Sequence, residues 1–299
     1  MTELHHHAAI EVSPGARGRI AAYVALTKPR IIELLLITTL PAMVLAAGRW
    51  PGTWLVVATL IGGALSAGGA NALNMYYDRD IDEVMRRTRA RPLARQEVSP
   101  RNALVFGVVL GVAGFIWLWV FTTLPAALIS TAALLFYVLV YTRRLKRATV
   151  QNIVIGGAAG AAPTLVGWAA VTGSVGVPAW VLFSIVFYWT PPHFWALAVR
   201  YRDDYATAGV PMLPVVAGVE ATTRRMLLYT GLMVGVSLLL VPLGGMSWIY
   251  LIAAVVLGAW FLWDTWRVVR RPEQAMRLFT TSTVYLSALF ASVLLDVLL

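Results

Sequence analysis

Long apolar stretches alternate with short polar ones along most of the chain, and nine of them are long enough to cross a bilayer as helices. They fall near 31–48, 54–76, 102–121, 124–142, 151–171, 178–199, 223–242, 248–264 and 278–298. A helix rising about 1.5 Å per residue needs roughly 20 apolar residues to span the hydrocarbon layer. The pattern predicts an all-α integral membrane protein with nine transmembrane helices. It divides into a flexible cytoplasmic tail over 1–20 and a single helical domain over 21–299.

The placement of charge orients this arrangement. Every Lys and Arg except Arg49 lies in the N-terminal segment or in the polar segments after the second, fourth, sixth and eighth windows. Cations concentrate in cytoplasmic loops, so the N-terminus is expected inside and the C-terminus outside. Overall, 59% of the 299 residues are hydrophobic and 13% charged, a balance no soluble core of this length requires. The net charge of +10 is divided among five separated segments, which disfavours a nucleic-acid partner and leaves the lipid bilayer and a polyanionic ligand as partners. Cysteine is absent, which excludes disulfides, cysteine zinc sites and a thiol nucleophile. His5, His6 and His7 read as part of the tail, not as a metal site. No cleavable signal or Arg- and Ser-rich transit peptide precedes the first window, so the expected location is a bacterial inner membrane.

The polar positions that carry chemistry begin where the second window ends. Asn74, Asp78 and Asp82 recur every four residues and form one stripe of oxygen donors on a helix, with Asn71 a turn earlier near the same face. Hard divalent cations such as Mg²⁺ favour such oxygens and are often completed by substrate phosphates. Asp80 and Glu83 point elsewhere and read as solvated. Arg87 and Arg91, four apart, would share a face if the helix continues, and guanidinium groups match phosphate geometry. Carboxylates for a metal beside guanidiniums for a polyanion indicate a bound diphosphate. Lys146 stands in a run with Arg143, Arg144 and Arg147, so it is either a diphosphate contact or an orienting charge.

A second polar loop, 200–222, resembles the loop at 77–101. Both start with acidic residues, here Asp203 and Asp204, and both reach a Pro-Leu or Leu-Pro step. A metal site shared between the second and sixth spans is therefore available. Within the sixth span, His193 follows Pro191 and Pro192. A histidine in a span is a functional candidate, either as an axial ligand to a haem-type iron or as a base, with a neutral interhelical contact as the plain alternative. Tyr76, Tyr77, Tyr205 and Trp195 border the expected site. Glu33, Asp264 and Asp296 read as interfacial or paired. The glycines at 62, 63, 68 and 69 indicate close helix contact more than a ligand channel.

The run Asn71-Ala-Leu-Asn74-Met-Tyr-Tyr-Asp78-Arg-Asp-Ile-Asp82, continued through Arg87 and Arg91 to Pro92-Leu93, resembles the first signature of the UbiA-type intramembrane prenyltransferases. Thr190-Pro-Pro-His193-Phe-Trp, followed by Asp203-Asp204-Tyr205, is similar to the haem-modifying branch of that family. The resemblance implies a UbiA-type helical bundle with a cytoplasmic-facing active site. It implies transfer of a farnesyl group from farnesyl diphosphate to a vinyl group of haem b, with Mg²⁺ as cofactor and haem b as substrate. Asn71, Asn74, Asp78 and Asp82 would then serve the metal and diphosphate, Arg87, Arg91 and Lys146 the diphosphate, and His193 the haem. Asp203 and Asp204 would complete the metal site, although Val199 and Arg200 stand where the family often has an acidic partner four residues earlier. A downstream haem A synthase or terminal oxidase assembly would receive the product. Two rivals remain at this level: a prenyltransferase for a quinone precursor or other aromatic acceptor, and a transporter of an anionic solute.

Overall fold

The structure, a computed structural model, describes residues 16–299 apart from the side chains at 16, 17, 31, 34 and 35. Most of the expected tail, including His5, His6 and His7, lies outside the described residues. Its last part does not: residues 16–20 belong to a helix that hydrophobic patterning did not predict, α1 (Ala16–Thr27).

The remaining elements are α2 (Pro29–Ala47), α3 (Thr53–Val84), α4 (Pro100–Phe121), α5 (Leu124–Leu135), α7 (Asn152–Thr172), α8 (Val177–Arg200), α11 (Gly218–Gly244), α12 (Trp248–Arg270) and α13 (Ala275–Leu298). Short helices α6 (Lys146–Ala148), α9 (Arg202–Thr207) and α10 (Leu213–Val216) lie between them. No strand occurs among the described residues. Every predicted window is a helix, and α3 and α12 run further than expected, to Val84 and Arg270. Among the described residues, seven helical stretches are long and apolar enough to cross a membrane. Of the two other windows, α8 is more polar, carrying Thr190, His193 and Arg200, and the fully described apolar part of α2 is the shorter stretch Leu36–Ala47.

Local chemistry sets the helix ends. Ser99 and Thr123 cap α4 and α5 by accepting from the amides of Asn102 and Ala126, with proline in the first turn of each helix. Gly48, Gly173 and Gly245 close α2, α7 and α11 in the left-handed conformation. α5 continues as a π-helix over Phe136–Leu145 before reaching α6.

The nine long helices close into a ring. Sequential neighbours touch from α2 through α3, α4, α5, α7, α8, α11 and α12 to α13, and α13 returns to α2. α2 also meets α7, and α8 meets α13, so these four helices form the interior. The glycines of α3 serve close contact. A Cβ on Gly69 would lie 2.7 Å from the Gly107 carbonyl oxygen, and one on Gly114 would lie 2.8 Å from the Ser66 amide. Without side chains at these points, α3 and α4 approach backbone to backbone.

Candidate active site

The Asn/Asp stripe lies on the last three turns of α3. Because α3 remains helical to Val84, Asn71, Asn74, Asp78 and Asp82 stay in register, and all four are buried. Asp78 and Asp82 are each only 1% exposed, so they are not a solvated helix end. Asn71 donates to the Thr27 carbonyl at 2.8 Å, which joins the stripe to the end of α1. Asn74 donates to the Asp78 carboxylate at 2.9 Å and to the Thr142 hydroxyl at 3.0 Å.

Three cations converge on the stripe from three parts of the chain. Lys146 Nζ lies 2.5 Å from Asp78 Oδ2. Arg91 Nη1 lies 2.8 Å from both carboxylate oxygens of Asp82. Lys28 Nζ donates to Asn74 Oδ1 at 2.7 Å from the junction of α1 and α2, where its backbone is left-handed at φ 53°. Burial first, and then the Arg91 guanidinium, press the Lys28 ammonium well below the ordinary lysine range, against the pull of Asp78 and Asp82. Asp78 Oδ1 accepts no hydrogen bond although it is buried. The Arg147 guanidinium lies 4.0 Å from it. A buried carboxylate oxygen left open beside partly buried ammonium and guanidinium groups is suited to a metal ion that carries a polyanion.

The basic segment after α3 is a loop, and the helix does not continue through it. Met85 is extended, at φ −77° and ψ 125°, and the chain then turns through bonds such as Arg91 N–H to the Thr88 carbonyl. Arg87 and Arg91 therefore do not share a helical face. Arg91 turns back to Asp82, whereas Arg87 reaches α9: its amide donates to Asp204 Oδ2 at 3.2 Å and its guanidinium to the Tyr205 hydroxyl at 3.4 Å. Asp203 is exposed. The two acidic loops do meet, but through Arg87 and not through a cluster of carboxylates. Among the described residues, no group of three or more His, Asp or Glu side chains could hold a metal.

His193 sits apart from the stripe, buried where α8 meets α13. Its ring stacks between Trp189 and Phe279, with centroids at 4.2 and 4.3 Å. His193 Nδ1 lies 2.7 Å from Ser282 Oγ, and Ser282 donates its own proton to the Phe279 carbonyl at 2.7 Å. With that hydroxyl proton committed, Ser282 Oγ is the acceptor and Nδ1 carries the hydrogen. Nε2 is then the nitrogen with the lone pair, the form that can bind a metal or accept a proton.

Comparison with known proteins places this geometry in a family. The UbiA prenyltransferase family matches residues 35–291. The chain belongs to that family. A protein of Saccharopolyspora erythraea named protoheme IX farnesyltransferase 1 is 56% identical over 285 residues, 94% of this chain and 91% of that one. A protoheme IX farnesyltransferase of Frankia alni is 53% identical over 281 residues, 92% of this chain and 97% of its own length. Among solved structures, a digeranylgeranylglyceryl phosphate synthase superposes with a TM-score of 0.77 at 17% identity, covering 93% of this chain and 98% of that one. A UbiA homolog from Archaeoglobus fulgidus bound to DMAPP and Mg²⁺ gives 0.64 at 16% identity, covering 91% and 98%. Both show the shared fold.

Within this UbiA chain, several residues at the stripe or beside His193 escaped sequence reasoning. Lys28 counted only as an orienting charge, although a lysine between two helices and directly before a proline is a signal of its own. Thr142 lies on the π-helix, which periodicity does not register. Ser282 is one hydroxyl among many. The aromatic expectations divide. Tyr205 meets Arg87, whereas Tyr76 and Tyr77 line a separate cleft with Arg79, Asp80, Arg143 and Arg147. Trp195 is buried and packs against Tyr229 at 5.5 Å. Asp80 is not merely solvated, since Arg147 grips both its oxygens at 2.6 and 2.7 Å. Asp264 pairs with Arg277 at 3.4 Å, and Asp296 accepts from the Ser247 and Tyr250 amides and the Ser247 hydroxyl.

Proposed function

We propose that this chain transfers the farnesyl group of farnesyl diphosphate to a vinyl group of haem b, releasing diphosphate and adding water to leave a hydroxyethylfarnesyl chain. The observation that carries the diphosphate half is the open, buried Oδ1 of Asp78 beside Lys146, with Arg91 and Lys28 on the neighbouring donors. The haem half rests on relatives more than 50% identical that are named for it.

Asn71, Asn74, Asp78 and Asp82 would hold Mg²⁺, and Asp203 and Asp204 would serve it from the loop that Arg87 ties to Asp204. When bound, Mg²⁺ supplies a Lewis acid that draws charge from the leaving diphosphate. Arg87, Arg91, Lys146 and Lys28 hold the diphosphate and offset its remaining negative charge as the allylic C–O bond breaks. The apolar helices keep water from the developing farnesyl cation until the vinyl group attacks it. His193, in its Nδ1–H form, positions the haem through Nε2 or takes a proton there.

The reading includes nine membrane spans with the site facing the cytoplasm, supported by the nine long helices and by Lys and Arg placement that leaves only Arg49 outside. It also includes a bacterial inner membrane location and a downstream haem A synthase or oxidase assembly as recipient. The test is to incubate the purified protein with haem b, farnesyl diphosphate and Mg²⁺ and to follow the pigment by mass spectrometry. Farnesylated haem that disappears with chelator is the expected result. Unmodified haem, alongside prenylation of an aromatic quinone precursor, would overturn the haem assignment.

A further inference from the structure

On the side of α3 turned away from the stripe lies a cleft of about 310 Å³ lined by Tyr76, Tyr77, Arg79, Asp80, Arg143 and Arg147. Three guanidiniums face one carboxylate there. Asp80 is taken by Arg147, which also donates to the Tyr77 carbonyl at 2.8 Å. Arg79 lies 4.7 Å over the Tyr76 ring and donates through Nη1 to the Tyr76 carbonyl at 2.7 Å, while Arg143 lies 6.0 Å over the Tyr77 ring. Among the described residues, no ion pair holds Arg79 or Arg143. The cleft thus keeps two uncompensated guanidiniums, whose planar forks match phosphate oxygens, on a floor of tyrosine rings.

Its position in the fold indicates the source of the phosphate. Arg143 ends a helix whose exposed apolar side chains lead up to it: Leu135 and Leu139 precede it at steps of four, with Val140 alongside. The cleft therefore joins a lipid-facing strip to a basic cluster at the end of two long apolar helices. Tyrosines and arginines at such a boundary favour an anionic headgroup with its acyl chains below.

We propose that this cleft binds the phosphate of an anionic phospholipid headgroup, with Arg79 and Arg143 as its principal contacts and the acyl chains along Leu135 and Leu139. The site is distinct from the buried stripe, and its test does not depend on the transferase reading. Arg147 forms the wall between the two, held by Asp80 on one side and 4.0 Å from Asp78 Oδ1 on the other.

The test uses the full chain in detergent, with lipid adducts counted by native mass spectrometry against phosphatidylglycerol and phosphatidylcholine of identical acyl chains. The wild type should retain phosphatidylglycerol about thirtyfold more strongly, in keeping with two interfacial arginines. The Arg79→Gln/Arg143→Gln variant, with its helical circular dichroism unchanged, should lose that preference. Competition on the wild type decides the matter even if the variant does not fold: another anionic lipid should displace phosphatidylglycerol and millimolar inorganic phosphate should not. Equal retention of the two lipids by the wild type overturns the proposal. So does a preference that survives in the folded variant, or binding of inorganic phosphate in place of the lipid.

Discussion

Lys146 sets its ammonium 2.5 Å from a carboxylate oxygen of Asp78, across 68 positions of sequence, and both side chains are largely hidden from solvent. Removing one member of a buried pair leaves the other charged and uncompensated, at a cost of about 3–5 kcal/mol. Lys146→Met should therefore lower thermal stability in detergent by an amount of that order. Adding Asp78→Asn to Lys146→Met should recover most of the loss. A double variant no more stable than Lys146→Met would remove the charge argument.

Asp78 also keeps an oxygen free of hydrogen bonds, which gives it a role beyond the pair. Asp78→Asn should retain the fold yet reduce farnesyl transfer by about a hundredfold or more, as expected when a group stabilising the leaving charge is lost. Asp82→Asn should behave similarly, with the added release of Arg91. Product formation by the mass-spectrometric assay, with and without chelator, checks both; wild-type turnover in either would remove the metal role of the stripe.

Arg87 is the link between the loop after α3 and α9. Arg87→Ala leaves its amide on Asp204 but removes the guanidinium. It should therefore raise KM for farnesyl diphosphate more than the Tyr205→Phe variant, which loses a single neutral acceptor worth about 1 kcal/mol. Steady-state kinetics on the two variants separate a phosphate contact from a loop brace. Equal effects would favour the brace.

The hydroxyl of Ser282 selects the proton position on His193. Ser282→Ala should free Nδ1, and the change should appear in the visible spectrum and affinity of bound haem while farnesyl diphosphate binding stays unchanged. An unaltered haem spectrum and affinity would confine His193 to packing between Trp189 and Phe279.

Gly69 lies where α3 and α4 touch through their backbones. Gly69→Ala would place a Cβ 2.7 Å from the Gly107 carbonyl oxygen and 2.8 Å from the Gly111 amide nitrogen. Since backbone cannot yield as a flexible side chain can, the variant should lose about 1–3 kcal/mol of stability. Gly63→Ala, which meets only the end of Leu36 at 3.7 Å, is the matched control and should unfold near the wild-type temperature.

Much of this protein is local and therefore legible along the chain. Apolar length marks the nine helices, and a four-residue step keeps Asn74, Asp78 and Asp82 on one face because helical geometry depends only on near neighbours. The density of arginine after the stripe likewise identifies a polyanion as the ligand to expect. What sequence reasoning missed depends on partners brought together by packing. Arg87 and Arg91 would share a face only if the helix continued; Met85 instead adopts an extended backbone and sends one to Asp204 and the other to Asp82. Lys28 becomes a buried neighbour of the stripe because α1 folds against α3, and Ser282 meets His193 because α13 lies on α8, 89 positions away. Periodicity alone determined which residues share a face; the closing of the helical ring decided which charges that face would meet.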